Sequence, residues 1–145
     1  MIYDTPTQQF NPKTEVAALF IEFEGRILLL HRHEDKLQGN RWGIPGGKLE
    51  PGETPLQAVI REVEEETAYR FSEEMVTHVK TVYVERDSQD HFVFHMFRAQ
   101  LTERPDKVKI DFYDHKGFTW VTPADSLKLN LVQDASYCFK IIYNL

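Results

Sequence analysis

Apolar residues recur along this chain with two spacings, and these spacings separate the predicted strands from the predicted helices. Runs of β-branched, aromatic and leucine residues bounded by polar turns are typical of β-strands. The sequence contains four such runs, at residues 15–23, 26–32, 75–86 and 91–101. In the second run Leu28, Leu29 and Leu30 are consecutive, which predicts a strand buried on both faces.

A helix is predicted to begin after Thr54. Thr54 is a good N-cap, Pro55 fits the first helical position, and Gln57 completes a Thr-x-x-Gln capping box. Mainly apolar side chains then recur every three or four positions, at Leu56, Val59, Ile60, Val63 and Thr67. This stripe predicts the helix face that packs on the core.

The ends of the chain have weaker patterns. Residues 1–14 contain two prolines and little periodicity, so we expect an irregular arm in front of one domain at residues 15–145. Residues 103–114 are charged and contain a proline, which predicts a loop with a short edge strand at 108–110. Residues 133–145 have helical spacing and predict a terminal amphipathic helix on the sheet's other face. Paired strands with two main helices predict an α/β (α+β) fold with a sheet between helices.

A glycine-rich loop precedes the first helix, and three glutamates lie on the helix itself. Residues 45–52 contain three glycines and two prolines, so they are expected to break regular structure. Glu62, Glu65 and Glu66 stand at positions i, i+3 and i+4, which places them on one arc of the helix. Their charges repel, and Arg61 is expected to point elsewhere, so a bound cation would explain the arrangement. A solvated acidic face is the alternative.

The amino-acid composition and the net charge of the chain limit which classes of function it can have. The 145 residues are enough for one domain with a substantial core. The formal net charge is −6 and no Lys- or Arg-rich block occurs, which argues against a nucleic-acid polymer as partner but allows small phosphorylated substrates. Cys138 is the only cysteine, and no signal peptide or membrane-length apolar run is present, which predicts a reducing, cytoplasmic location and no membrane partner. Monomer and homodimer both remain open.

The loop and the helix together resemble the Nudix hydrolases, whose pattern is G-x5-E-x7-R-E-U-x-E-E-x-G-U with U apolar. The matching run is Gly47, five residues, Glu53, seven residues, then Arg61-Glu62-Val63-Glu64-Glu65-Glu66. The resemblance extends from about residue 15 to residue 127. Ala68 stands where the family has glycine, and Tyr69 stands where an aliphatic residue is usual. Alanine in a left-handed conformation costs about 1 kcal/mol, so we expect a reshaped helix end.

The resemblance implies an α/β/α sandwich with a mixed β-sheet. It also implies an enzyme that cleaves a nucleoside diphosphate linked to another moiety X, by attack of water at phosphorus. The family's cofactor is Mg²⁺, or Mn²⁺, with Glu65 and Glu66 as the principal ligands. Glu62 is then a further ligand or the base that activates water. The backbone carbonyl of Gly46 or Gly47 adds another oxygen.

The same resemblance assigns roles around the metal site. Glu53 and Arg61 are expected to pair and fasten the loop to the helix. Glu50 and Glu64 are expected to lie in solvent.

Three residues outside this stretch are further candidates. Asp114 takes the place of a family glutamate in front of a strand, where the family acid completes the metal site or acts as base; the alternative is that Asp114 caps a turn. Arg32 closes a strand that often ends in a basic residue in the family, which makes it a candidate phosphate contact. Arg41 is a candidate phosphate or base contact.

Two other functions remain open. The first is a nucleotide-binding module that has lost hydrolysis, although a pure binder has no reason to tolerate the repelling carboxylates. The second is an isomerase of the isopentenyl-diphosphate type. The expectation that Cys138 is a core residue away from any cleft argues against this second function. Nucleoside triphosphates, dinucleotide polyphosphates and nucleotide sugars all fit as substrates.

Overall fold

The sheet of this protein has eight strands among the residues that the structure, a computed structural model, describes: 1–103, 108–110 and 114–145. The strands are β1 Ile2–Tyr3, β2 Thr14–Phe23, β3 Arg26–Arg32, β4 Trp42–Gly43, β5 Gly46–Lys48, β6 Thr77–Glu85, β7 His91–Gln100 and β8 His115–Val121. The helices in these ranges are α1 Pro55–Thr67, α2 Pro123–Ser126 and α3 Ala135–Tyr143, and a 3-10 turn spans Glu73–Met75.

The strands form one mixed sheet in the order β1-β6-β7-β2-β3-β4. β2 and β7 are parallel, from Thr14 opposite Phe92 to Glu22 opposite Gln100. The other strand pairs are antiparallel. β5 pairs with β2, and β8 pairs with β3. The predicted mixed sheet is therefore confirmed.

Each face of the sheet carries a helix and its own apolar core. On one face α1 packs Val59 and Val63 against Leu28 and Leu30. On the other face α3 packs Phe139 against Leu29, among other residues. The three consecutive leucines are at most 1% exposed, because alternate side chains of β3 enter opposite cores. This arrangement confirms the expected sheet between helices.

The structure differs from the sequence predictions in several segments, including the following four. The arm at 1–14 is not wholly irregular, because Ile2 and Tyr3 pair with Val84 and Tyr83 of β6. The strand predicted at 75–86 begins at Thr77, after the 3-10 turn. Residues 108–110 are not a strand, and residues 104–107 and 111–113 lie outside the part of the chain that the structure describes. The fourth difference is that residues 46–48 form β5.

The close approach of β5 to β2 explains why glycine can be part of this strand. Gly46 and Gly47 pair with Ala18 and Ala17. A Cβ atom on Gly46 would overlap the carbonyl oxygen of Ala17 and the side chain of Ala18. Glycine therefore allows the strand pair here, instead of ending regular structure as predicted.

Both ends of α1 show how the sequence sets its limits. The Thr54 hydroxyl accepts from the Gln57 backbone N–H, and the Gln57 side chain accepts from the Thr54 N–H, so the capping box is confirmed. At the other end Ala68 adopts the left-handed conformation, with φ of 67°, and donates its backbone N–H to Glu64. The expected reshaping of this helix end is therefore wrong, since alanine takes the conformation that suits glycine.

Replacing Ala68 with glycine should stabilise the protein. The Ala68→Gly change relieves the left-handed strain and raises the free energy of unfolding by about 1 kcal/mol, measured by urea or thermal denaturation. The matched control is Ala58→Gly within α1, which should lower that free energy by about 1 kcal/mol or more, because Ala58 is helical and buried. An Ala68→Gly variant less stable than the parent would contradict this assignment.

Cys138 lies on the buried side of α3 and is 3% exposed. Burial in the apolar core raises the pKa of its thiol to about 12. No helix in the described parts of the chain has the length and apolarity needed to cross a bilayer.

The buried thiol should be unreactive in the folded protein. At pH 8 a pKa near 12 leaves about one thiolate in 10⁴, so a disulfide reagent should modify Cys138 at least 100-fold more slowly in buffer than in denaturant. The absorbance of the released thiol follows both reactions, and the denatured sample is the control for one reactive group per chain. Equal rates in the two conditions would show that the thiol is accessible.

Candidate active site

Arg61 lies at the centre of the acidic cluster, so the expectation that it points elsewhere is wrong. Its Nε donates to Glu53 Oε2 at 2.7 Å and its Nη2 donates to Glu53 Oε1 at 2.9 Å. Its Nη1 lies 3.0 Å from Glu62 and 3.4 Å from Glu65. One guanidinium therefore joins the loop acid to two helix acids and offsets part of the repulsion expected on α1.

The pair of Glu53 and Arg61 ties the loop to the helix. Arg61 also donates to the Lys48 carbonyl at 3.2 Å and lies 3.7 Å from Glu50. The hydrogen bonds from Arg61 and from the Glu50 backbone lower the pKa of Glu53 to about 2. The contact with Glu53 likewise raises the pKa of Arg61. Both groups are therefore charged at neutral pH.

Glu50 and Glu64 are not simply solvated. Glu64 forms an ion pair with Arg70 at 2.6 Å, and the Arg70 hydrogen bond lowers the pKa of Glu64. Glu50 is exposed and lies near Arg61. Glu64 therefore pairs outside the cluster, whereas Glu50 lies at its exposed edge beside Arg61.

Glu62 and Glu66 contact the two glycines of β5. The Gly46 backbone N–H donates to Glu66 Oε1 at 2.8 Å. A Cβ atom on Gly47 would lie 2.6 Å from Glu62 Oε2, so only glycine leaves room for this carboxylate. Two of the three predicted metal ligands, Glu62 and Glu66, therefore lie in contact with the two glycines.

Burial raises the pKa of both of these carboxyl groups. For Glu66 the rise is large, and repulsion from Glu62 and Asp114 adds to it, while the Gly46 N–H and Arg32 oppose it. For Glu62 the rise is offset in part by the hydrogen bond from Arg61. The ionised form of Glu66 is therefore disfavoured by its surroundings in this structure.

Asp114 and Arg32 lie on the Glu66 side of the cluster, close enough to act on its charge. Asp114 forms an ion pair with Lys36 at 3.1 Å. Arg32 donates from Nε to the Leu37 carbonyl at 2.8 Å. The loop at 33–41 is thus joined to both residues.

The donor atoms are suitable for a hard divalent cation, although they are not assembled around one point. Within 1–103, 108–110 and 114–145, no three His, Cys, Asp or Glu side chains are close enough to hold a metal ion. Glu65 is 58% exposed and paired with Arg61. Carboxylate oxygens are nevertheless the ligands that Mg²⁺ and Mn²⁺ take, and a cation beside Glu66 would stabilise its ionised form.

A cavity of about 450 Å³ opens on the α3 face of the sheet, next to β5. Arg32, Gly46 and Gly47 line it, whereas Arg41 is absent from the described lining and donates to Gln38 at 3.5 Å instead. A second cavity of about 490 Å³ lies against α1, where Arg61 and Glu65 line it but neither glycine does. The first cavity is therefore the better substrate cleft.

Cys138 lines this cleft, so the expectation that it lies away from any cleft is wrong. Its raised pKa keeps the thiol protonated and unsuited to nucleophilic or acid–base work at neutral pH. Isomerase chemistry that uses a cysteine thiolate is not supported by this environment.

Five charged residues that line the cleft were missing from the sequence prediction: Lys13, Lys48, Arg86, Asp90 and Asp134. Lys48 directly follows the two glycines, and that position could have revealed it. Arg86 follows β6 and Asp134 precedes α3. Nothing local in the sequence shows that these two approach each other.

Comparison with known proteins agrees with this geometry. The model of the NUDIX domain family matches residues 11–140. An ADP-ribose pyrophosphatase of Bacillus subtilis strain 168 is 31% identical over 131 residues, which cover 88% of this chain and 70% of the relative. A CTP pyrophosphohydrolase of Escherichia coli K12 is 28% identical over 119 residues, covering 81% and 82%.

A solved structure shows the same fold. The crystal structure of a MutT NUDIX hydrolase from Burkholderia pseudomallei superimposes with a TM-score of 0.75 at 24% identity, covering 90% of this chain and 97% of that one. Nudix hydrolases generally use divalent metals. From the family match, the relatives and the fold, this chain belongs to the Nudix hydrolases, enzymes that act on pyrophosphate bonds.

Proposed function

We propose that this protein is a metal-dependent pyrophosphohydrolase that cleaves a nucleoside diphosphate linked to a moiety X. Water attacks phosphorus, a new P–O bond forms, and the anhydride P–O bond breaks. The observation that carries the proposal is the position of Gly46 and Gly47, which contact Glu66 and Glu62 and also line the cleft. Substrate phosphates in the cleft would therefore lie next to the carboxylates.

Each residue near β5 has a role in this proposal. Glu62, Glu65 and Glu66 hold the cation, with a backbone carbonyl of Gly46 or Gly47 as an additional oxygen. Mg²⁺ or Mn²⁺, when bound, neutralises charge on the phosphoryl oxygens. Glu53 and Arg61 do not take part in the chemistry and fix the distance between loop and helix.

Arg32 and Asp114 complete the proposed site. Arg32 lines the cleft beside the glycines, where its guanidinium suits a phosphate oxygen. Asp114 is on the Glu66 side and serves as a further ligand or as the base for water; Glu62 is the other candidate base. Arg41 is not supported as a substrate contact, because it lies outside the cleft lining and donates to Gln38.

The substrate is proposed to be a small nucleotide. Named relatives act on ADP-ribose, CTP and other nucleoside triphosphates, and the cleft combines an apolar wall with cationic side chains. The net charge of −6 is unfavourable for a nucleic-acid polymer. One buried thiol and no second cysteine suit a reducing, cytoplasmic location.

Removal of a carboxylate from the proposed metal site should abolish turnover. Glu66→Gln and Glu65→Gln are expected to lower kcat by roughly 10²-fold or more while the thermal unfolding curve stays cooperative. The matched control is Glu64→Gln, because Glu64 is on the same helix but pairs with Arg70. Phosphate release from a panel of nucleotides measures the effect. Parent-like activity in both Glu65 and Glu66 variants would refute the assignment.

Metal dependence has a separate readout. The protein treated with EDTA and then freed of chelator should hydrolyse no nucleotide until Mg²⁺ or Mn²⁺ is added. Mn²⁺ binding, measured by the paramagnetic signal of the free ion, should be weaker in Glu66→Gln and unchanged in Glu64→Gln. Full activity in the metal-free protein would contradict this role of the cation.

A further inference from the structure

Four polar side chains of β6, β7 and β2 form a hydrogen-bonded chain that the proposed hydrolysis does not use. Nε2 of His78 lies 2.8 Å from the hydroxyl oxygen of Thr81. Nδ1 of His95 lies 3.0 Å from the same oxygen, and Nε2 of His95 lies 2.8 Å from Glu15 Oε1. None of the four residues is in the described lining of the cleft.

The pairing of β6 with β7 places both histidines on one face of the sheet. His78 is opposite Phe97, and Thr81 is opposite His95. Three positions separate His78 from Thr81, which in a regular strand puts their side chains on opposite faces. The register shifts between His78 and Lys80, so both side chains lie on the face that α1 covers. Bulges of this kind redirect side chains and are common next to functional sites.

The contact with Glu15 determines which nitrogen of neutral His95 has a lone pair. A carboxylate only accepts hydrogen bonds, so Nε2 of His95 carries the proton. Nδ1 therefore has the lone pair, on the side of the ring where Thr81 lies. Histidines that bind metals have this arrangement, with one nitrogen donating to a carboxylate and the other free to coordinate the ion.

The two histidine rings differ in how firmly they are held. The side chain of His95 is 13% exposed and has a partner on each nitrogen. His78 is exposed, and its ring meets Phe97 edge-on, with 5.3 Å between the ring centres and an angle of 74°. The His95 ring is thus fixed, whereas the His78 ring can adjust to a ligand.

The distances around the Thr81 hydroxyl are close to those between the ligands of one metal ion. Zn²⁺ lies about 2.0–2.1 Å from imidazole nitrogens, so neighbouring ligand atoms of one ion are roughly 3.0–3.4 Å apart. The hydroxyl oxygen is 2.8 Å from the nitrogen of His78 and 3.0 Å from that of His95. A small movement of the His78 ring is therefore enough to admit an ion among the three atoms.

The chemistry of these donors selects a different class of metal from the acidic cluster. Imidazole nitrogens suit Zn²⁺, Cu²⁺ and Ni²⁺, whereas Mg²⁺ takes oxygen ligands. In the chain as described at 1–103, 108–110 and 114–145, no third His, Cys, Asp or Glu joins the two histidines as a ligand. The hydroxyl of Thr81 and water are left to complete the coordination, which makes the site exchangeable.

The histidine pair is separate from the acidic cluster. Gly47, Ala17, His95 and Thr81 follow one another in register across β5, β2, β7 and β6. Glu62 contacts Gly47, so the row separates it from the histidine pair by two to three strand spacings, roughly 10–14 Å. One ion cannot bridge such a distance, and the two sets of donors would bind separate ions.

The outer edge of β6 beside the histidines is open to solvent. β1 pairs with β6 only at Val84 and Tyr83, and no other strand covers that edge in the part of the chain that the structure describes. An ion can therefore reach His78 without entering the cleft.

We propose that His78 and His95 form a metal site that binds a late divalent transition-metal ion, Zn²⁺ or Cu²⁺. The two imidazole nitrogens are the ligands, the Thr81 hydroxyl completes the inner side, and Glu15 orients His95. The site is independent of the proposed hydrolysis, because none of these residues belongs to the cleft or to the acidic cluster.

Cu²⁺ is the probe for the test, because its electron paramagnetic resonance spectrum shows the nitrogen atoms of each bound imidazole. Excess Mg²⁺ is present throughout to occupy the carboxylates. One equivalent of Cu²⁺ added to the parent should give the pattern of two imidazoles. His78→Gln and His95→Gln should each remove one imidazole and weaken Cu²⁺ binding at least about tenfold.

The controls separate loss of a ligand from loss of structure. His33→Gln is matched in chemistry and should leave the Cu²⁺ spectrum unchanged, because His33 lies beside Asp35 and not beside a second histidine. Glu15→Gln keeps an acceptor for His95 but loses the charge, so both imidazoles should stay bound while Cu²⁺ affinity falls about tenfold. Thermal unfolding without added metal checks the fold of each variant, and His78→Gln at its exposed position decides the test if His95→Gln does not fold.

Zn²⁺ gives a second readout, because an ion that binds only the folded state raises the Tm. Zn²⁺ in excess Mg²⁺ should raise the Tm of the parent more than that of His78→Gln. Equal shifts in the two proteins would overturn the inference. A parent Cu²⁺ spectrum with fewer than two imidazoles would do so as well, and so would a two-imidazole spectrum that persists in both histidine variants. Neither readout depends on turnover, so failure of the proposed hydrolysis leaves this test intact.

Discussion

The guanidinium of Arg61 is the interaction on which the geometry of this protein's acidic cluster depends. It bonds Glu53 in the loop and lies against Glu62 and Glu65 on the helix. The three carboxylates proposed as ligands are therefore not equivalent. Glu62 and Glu65 contact Arg61, whereas Glu66 accepts a hydrogen bond from the Gly46 backbone N–H and lies near Glu62 and Asp114.

The two glycines of β5 set a second constraint on the site, because their backbone lies between α1 and the cleft. Without side chains, Gly47 lets the Glu62 carboxylate reach the backbone, and Gly46 lets β5 approach β2. A larger residue at either position would separate the carboxylates from the space where phosphates are proposed to lie. At these two positions glycine thus serves for close approach and not for turning the chain.

The features that could be predicted from the sequence are those that local spacing determines. The capping box at Thr54 and the buried leucines of β3 depend on neighbours within a few residues, and the structure has both. The contacts of Arg61 with Glu62 and Glu65 were not predicted, because helical geometry alone does not show how the Arg61 side chain bends when it pairs with Glu53. The pair of Arg86 and Asp134 depends on a hairpin turn and a distant helix, 48 positions apart. Such contacts follow from tertiary packing and leave no periodic signal.

The parallel pairing of β2 with β7 has a consequence for how the protein reaches its native state. The pairing of these central strands brings together residues as distant in sequence as Glu15 and His95, 80 positions apart. Contacts between residues so far apart in the chain form slowly. During synthesis β2 and α1 leave the ribosome before β7 does, so the apolar stripe of α1 at first has only part of the sheet to cover it. Folding of the core must therefore await the arrival of β7, and the nascent chain is most exposed to aggregation in that interval.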